Sequence, residues 1–366
     1  MGRSVMNPWQ RILHKPFFIR LLYWEYWSMT AVYALIYPVF LWLCIRCGWK
    51  FFFTAANPKI RYGGFLLESK KEIYDTLPQG LYPPTILVRA GTGIPEILEQ
   101  IKRLNLSFPL IAKPDIGMRG LAAKRVDTED ELIKTAPKFE IDFLIQEFIP
   151  YKNEVGIFYY RYPGQPKGSV SGIVGKEFLS ITGDGKSSLR QLLQRDRRFI
   201  LQLDSLQEEY GDKLDRILLD KENEVLIPYG NHARGSKFLD YSYLIDDDII
   251  TLIDNISLQV PDFFYGRLDL RYNNWEELKQ GKNFSIIELN GAGSEPTHIY
   301  DPRHSLFFAW KEIIRHWIIL WQISRKNHQL GFPYMSFREG AKMFRANRAY
   351  VTKLREVHEA LLKGKV

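Results

Sequence analysis

Cysteine is nearly absent from this chain. Only Cys44 and Cys47 occur, so no disulfide framework can form. Their C-x-x-C spacing has no second pair and lies in an apolar stretch, which favours buried thiols over a structural zinc site. Low-complexity segments and internal repeats are also missing. With 46% hydrophobic residues over 366 positions, most of the chain is expected to be globular, in two or three compact units. The net charge of +8 comes without any nucleic-acid-binding motif. The expected partners are therefore anionic ligands or an anionic membrane surface, and not nucleic acid.

Two more absences matter. Thr182-Gly183-Asp184-Gly185-Lys186-Ser187 looks superficially like a P-loop, but Ser180 stands where the first glycine of a Walker A motif belongs. Charge is missing altogether from Trp27 to Ile45, a run about long enough to cross a bilayer. Trp24, Tyr26, Trp27, Trp42 and Trp49 near its ends fit an interfacial aromatic belt. Arg11, Lys15 and Arg20 precede it, and Arg46 and Lys50 follow, so charge sets no orientation. The expectation is an N-terminal hydrophobic helix in the membrane, kinked at Pro38 or re-entrant; the alternative is a helix buried in a core.

What is present alternates between strand and helix patterns, a mixed class. Phe65–Leu77 reads as a short helix, Pro83–Val88 as a strand and Ile94–Leu104 as a helix. Phe108–Pro114 reads as a strand ending in Lys113, followed by the glycine turn Asp115–Gly120 and a strand over Leu121–Val126. Further strands are expected over Phe143–Pro150, Val155–Arg161 and Ser169–Ile181. Leu189–Leu219 reads as mostly helical, Pro228–Asp240 as a loop, and Asp246–Gln259, Ser305–Asn327 and Arg338–Val366 as helices. These readings suggest a tail and membrane segment over 1–50, a linker with a short helix over 51–84, a main α+β domain over 85–305 and a helical tail over 306–366.

Two stretches stand out. Gly266-Arg267-Leu268-Asp269-Leu270-Arg271 and Ser285-Ile286-Ile287-Glu288-Leu289-Asn290 both alternate polar and apolar residues. The polar link between them allows an antiparallel pair. Such a pair would gather Asp269, Glu288 and Asn290 on one surface beside Arg267. Three oxygen donors next to an arginine suit Mg²⁺ held against phosphates; an ordinary solvated hairpin is the plainer alternative.

The ordered set of these pieces resembles the ATP-grasp superfamily, in particular its D-alanine–D-alanine ligase and cyanophycin-synthetase branches. The resemblance runs from about Glu68 to Pro302 and implies two α+β subdomains clasping ATP. It implies that Lys70 and Lys113 hold ATP phosphates under a glycine flap containing Gly117 and Gly120. Glu147, Phe148 and Ile149 would then form the hinge that reads adenine, with Glu154 on the ribose. Lys176 or Lys186 would be a third phosphate contact. Asp269, Glu288 and Asn290 would bind Mg²⁺, two ions in all, with Mn²⁺ as a substitute. Arg267 would stabilise the transferring phosphoryl group, and His232 and Arg234 would face the acceptor.

The implied activity is an ADP-forming carboxylate–amine ligase working through an acyl phosphate. An ATP-dependent kinase and a membrane scaffold that binds ATP without chemistry are the alternatives. One departure limits the carry-over: the membrane segment stands where the family usually opens with an α/β domain. D-alanine specificity is therefore not implied. A cell-envelope or membrane-associated substrate is expected instead, carried by a small molecule, a lipid or a polymer, with the catalytic part on the cytoplasmic side where ATP is.

Overall fold

A computed structural model describes residues 15–118, 120–227, 230, 232 and 235–363 of the chain. The architecture is mixed α+β. In chain order the strands are β1 (Thr85–Val88), β2 (Leu110–Pro114), β3 (Lys124–Val126), β4 (Phe143–Glu147), β5 (Asn153–Tyr160), β6 (Ser169–Glu177), β7 (Leu179–Thr182), β8 (Asn223–Ile227), β9 (Lys237–Asp240), β10 (Tyr265–Tyr272) and β11 (Phe284–Asn290). The chain divides into two compact units. The larger comprises Pro38–Gly175, Asp240–Ile299 and Lys311–Val366; the smaller comprises Met1–Tyr37, Lys176–Leu239 and Tyr300–Trp310.

Two antiparallel sheets build the larger unit. One has the order β1-β4-β2-β3. Apolar residues of the helix Ile94–Arg103 pack on it, and Ile97 and Ile101 are buried there. That helix starts where Gly93 and Pro95 favour a first turn, carries Glu96 at its positive end and closes on Lys102 and Arg103. Leu354, Val357 and Leu361 of the last helix, Phe337–Leu362, are buried in the same cluster. Each such side chain contributes about 1.5–3 kcal/mol by leaving water, so the C-terminal segment is part of this core.

The second sheet runs β11-β10-β5-β6 through the larger unit. Leu268, Leu270, Ile286, Val155 and Ile157 point from it into a core shared with Ile249, Ile253 and Ile256 of the helix Asp247–Leu258. A third, aromatic core holds Phe52, Phe53, Phe158 and Tyr265 with Ile319 and Ile323. Asn57 lies fully buried beside it. Its amide nitrogen donates to Gly63 O and Tyr265 O, and its oxygen accepts from the Phe264 and Tyr265 N–H groups. One side chain thus fixes the start of β10 to the segment before the first sheet.

The smaller unit has its own core of leucines and isoleucines, among them Leu179, Leu193 and Leu226, around the β7–β8 pair. Leu189–Leu219 is mostly helical, as expected, in three short α-helices of five, four and eight residues and a five-residue 3-10 helix, Gly211–Asp215. Asp196 caps the second, its side chain accepting from the Arg198 N–H. The Gly183–Lys186 segment is a local turn. Asp184 accepts from the Lys186 and Ser187 N–H groups and pairs with Arg195, and these bonds hold its carboxyl well below the usual range.

The charge-free N-terminal run is not a single helix. It forms two, Met29–Ala34 and Tyr37–Arg46, with the break at Leu35–Ile36 just ahead of Pro38. A proline at the second position of a helix is tolerated, whereas inside one it removes a hydrogen bond, so the chain breaks before it. Among the described residues no helix is long and apolar enough to cross a membrane. Leu43 and Cys44 join the aromatic core instead.

Candidate active site

Asp269 stands opposite Glu288, and Arg267 opposite Asn290, in the β10–β11 register. The antiparallel pairing read from the alternation is therefore present, and the link between the strands contains the short helix Trp275–Lys279. On the other side of β10, Asp269 faces Gly156 and Arg271 faces Glu154 of β5. A methyl group on Gly156 would lie 2.7 Å from Asp269 Oδ1 and 3.1 Å from Arg267 Cδ. Glycine is the residue that lets these two polar side chains lie flat on the sheet.

Both carboxylates are held by cations. Arg267 grips Asp269 with two donors, at 2.8 and 3.1 Å, and also donates to Glu295 O at 3.1 Å. Lys70 Nζ is 3.2 Å from Glu288 Oε1 and donates to Gly117 O at 3.1 Å. Burial pushes Glu288 up, but Lys70, Lys113 and Arg267 outweigh it and hold the carboxyl below its ordinary value. Burial likewise pulls Lys70 down, and Glu288 with Glu68 more than restores it. Glu68 itself is pushed up by burial.

Lys113 is different. It donates to Tyr74 Oη at 3.0 Å, to Gln146 Oε1 at 2.8 Å and to Ile287 O at 3.4 Å, all neutral acceptors. Burial, with Lys70 as a like-charged neighbour, lowers its pKa to about 7. Glu288 acts on it from a distance, but among the described residues no carboxylate contacts it directly, and it is poised to receive an anion.

Gly117, Gly120, Glu147, Phe148, Ile149 and Glu154 fall on this unit's two sheets and their connecting turns. Gly117 lies 3.8 Å from Lys70 Nζ at its notional Cβ, and Gly120 has φ +68°, a conformation that favours glycine. The turn is anchored at its start: Asp115 accepts from the Lys71 N–H, and Tyr350 donates to Ile116 O. Arg119 within it lies outside the described residues. At the proposed hinge, Glu147 N donates to Pro84 O and Ile149 O accepts from Arg271. The Phe148 ring lies under the guanidinium groups of Arg125 and Arg271, at 4.6 and 5.9 Å. Glu154 is buried, 3.5 Å from Arg271 Nε.

Lys176 and His232 belong to the smaller unit. His232 shares a hydrogen bond with Glu25 O at 3.0 Å, stacks on Tyr26 and Tyr300, and is drawn down to about 4 by burial. It is therefore a neutral, packed imidazole at neutral pH. Arg234 lies outside the described residues. Three contributors were not anticipated: Tyr74, Gln146 and Gly156. Only the glycine left a local signal, in an otherwise β-branched and aromatic strand.

Asp269, Glu288 and Asn290 supply two carboxylates and one amide. Among the described residues no group of three or more His, Cys, Asp or Glu side chains gathers as a metal site. The donor set nonetheless fits a cation that keeps substrate oxygens in its shell, as Mg²⁺ does. Asn290 Nδ2 is buried without a hydrogen-bond partner. Since the two ends of an asparagine amide are interchangeable in assignment, the group can present its oxygen there.

No protein-family model and no curated protein matches this sequence. Several solved structures are similar to it. A bifunctional glutathione synthetase from Pasteurella multocida is 14% identical, with a TM-score of 0.38, covering 68% of this chain and 35% of that one. VanG D-Ala:D-Ser ligase from Enterococcus faecalis is 15% identical, with a TM-score of 0.40, covering 69% and 61%. D-alanine–D-alanine ligase from Bacillus anthracis is 14% identical, with a TM-score of 0.40, covering 72% and 67%. The match thus spans about a third of the synthetase and under two-thirds of the VanG ligase.

Proposed function

We propose that this chain is an ATP- and Mg²⁺-dependent carboxylate–amine ligase of the ATP-grasp type. One observation carries the reading: Lys70, Lys113 and Arg267 arrive from three elements at the Asp269, Glu288 and Asn290 edge of β10 and β11. That is a phosphate-binding charge pattern beside a hard-cation donor set.

The two lysines bind the nucleotide phosphates, and the turn around Gly117 and Gly120 covers them and excludes water. Asp269, Glu288 and Asn290 would hold Mg²⁺, which when bound offsets the negative charge of the phosphates. A carboxylate oxygen of the first substrate attacks the γ-phosphorus of ATP, and ADP leaves. Arg267 steadies the charge on the transferred group. The amine then attacks the acyl carbon, phosphate leaves, and the nitrogen loses a proton.

The acceptor is proposed to be attached to the cell envelope or membrane, as a small, lipid-linked or polymer-linked molecule. The catalytic part faces the cytoplasm, where ATP is. Exposed apolar residues at the N-terminal end support an acceptor at a membrane.

The test is nucleotide turnover by detergent-solubilised protein with Mg²⁺, with and without an extract of membrane lipids and amino acids. Extract-stimulated release of ADP and phosphate together with a new amide would support the ligase. A stable phosphorylated product would replace it with a kinase, and tight ATP binding without turnover would argue for a scaffold.

A further inference from the structure

At the C-terminal end of the long helix Leu306–Gln329, within the larger unit, lies a cavity of about 280 Å³. Arg46, Lys50, Arg325 and His328 line it together with Tyr334, and no acidic residue does. That volume is at the small end for ligand pockets and suits a head group rather than a whole nucleotide.

The basic residues are held in place by aromatic ones. The guanidinium groups of Arg46 and Arg325 lie 5.8 and 5.6 Å from the Trp321 ring, and Arg46 is also 5.3 Å from Trp42. His328 stacks on Tyr334 and donates from Nδ1 to Phe332 O. None of Arg46, Lys50 and Arg325 pairs with a carboxylate among the described residues.

Two helices end here, Tyr37–Arg46 and Leu306–Gln329, and helix C-termini attract cations. That structural role does not account for all of the charge. Two helix ends supply roughly one negative charge in total. Arg46, Lys50 and Arg325 alone bring three positive ones, so the cavity remains positive.

Beside the cavity the helix Tyr37–Arg46 presents an apolar stripe to solvent. Leu41, Trp42, Ile45 and Trp49 are 52%, 50%, 45% and 69% exposed. Within the helix the spacing i, i+1 and i+4 places Leu41, Trp42 and Ile45 on one side, while Leu43 and Cys44 face the core; Trp49 follows in the turn after Gly48. Exposed tryptophans and leucines flanked by arginine and lysine are the composition of a helix lying in a lipid–water interface.

We propose that this face docks on an anionic phospholipid bilayer, with a lipid phosphate in the Arg46–Lys50–Arg325–His328 cavity and the Leu41, Trp42, Ile45 and Trp49 side chains among the acyl chains. The site is separate from the nucleotide-binding edge and stands independently of the ligase reading. A protein that binds vesicles but turns over no ATP would sink that reading and leave this one intact.

The experiment is flotation of the full chain with vesicles of phosphatidylcholine alone or mixed with phosphatidylglycerol. Wild type should float with the mixed vesicles and be released by salt. Arg46→Gln with Arg325→Gln should weaken binding roughly 25-fold, about fivefold for each charge lost near the surface. Trp42→Gln with Trp49→Gln should weaken binding to both compositions. The melting temperature and basal ATP turnover of both variants should be unchanged.

Flotation indifferent to lipid charge, or unaffected by the arginine pair, would overturn the proposal. So would two other results. One is binding of inorganic phosphate, abolished by Arg325→Gln, in a protein that ignores vesicles, which marks a free-anion site. The other is self-association lost in the tryptophan variant without any vesicle binding, which marks a contact between copies of this chain.

Discussion

Asp269 lies opposite Glu288 across the β10–β11 pairing, and the two carboxylates are gripped by different cations, Arg267 and Lys70. The site is thus internally neutralised. Each of these pairs must loosen when anionic phosphates and a divalent cation enter together, since the phosphates compete for the cations and the metal competes for the carboxylates.

That exchange gives the first prediction. Asp269→Asn and Glu288→Gln should each lower Mg²⁺-dependent ATP turnover by roughly a hundredfold or more. Each leaves a cation without its partner, so ATP binding measured without metal should persist or tighten. Turnover within twofold of wild type in either variant would remove these residues from the metal set.

A second prediction concerns Lys113, whose pKa of about 7 leaves it largely neutral at pH 8. Phosphate oxygens nearby favour the charged form and raise that value. Binding ATP at pH 8 should therefore take up close to one proton, and affinity should rise as pH falls from about 10 toward 7. Calorimetry in buffers of differing ionisation enthalpy reads this directly. Lys113→Met should lose the uptake, and a wild-type binding heat that does not vary with buffer would contradict the assignment.

Gly156→Ala is the third. Its methyl group would press on Asp269 Oδ1, Val174 and Arg267, so stability should fall by about 1–3 kcal/mol and turnover should fall with it. Gly93→Ala meets only Pro95, at an ordinary 3.8 Å, and should leave turnover unaltered. Thermal melts and rate measurements on both proteins make the comparison.

Asn57→Ala should cost about 3 kcal/mol or more in chemical denaturation, because four hydrogen bonds to the backbone at Gly63, Phe264 and Tyr265 are lost, with, among the described residues, only Gly63 O keeping a second donor, the Ala292 N–H. Asn57→Asp should be no better tolerated. It keeps the acceptors but turns the two donor contacts into oxygen facing oxygen.

The antiparallel hairpin was legible because alternation, a polar link and the charged residues all agreed over a short stretch. Ile94–Arg103 was legible for the same kind of reason, with a clean helical period and favourable ends. Phe65–Leu67 was not. Its residues have helical character, yet Phe65 stacks on Phe53 with centroids 3.9 Å apart and Leu67 takes φ +61°, so the helix starts only after Ser69 caps it. Tertiary packing overrode local preference there.

Strands β8 and β9 went unread because each is short, only five and four residues, with too few alternations to set a strand period. Within the site, the charged residues could be named from pattern alone. Tyr74 and Gln146 could not, because what defines them is contact with Lys113, 39 and 33 positions away. Asn57 looked like a turn residue beside proline, and its partners lie up to 208 positions on.

The packing of Leu43 and Cys44 beside Phe52, Ile319 and Ile323 bears on how the protein can be cut. Hydropathy invites removal of everything before residue 51 as a detachable anchor. Such a truncation would strip one wall from the aromatic core that carries Tyr265 of β10, the strand that bears Asp269, and Phe158 of its neighbour β5. Loss of activity in that shortened protein would then report a loosened scaffold rather than a missing membrane, and the interfacial role is better probed by exchanging exposed side chains than by shortening the chain.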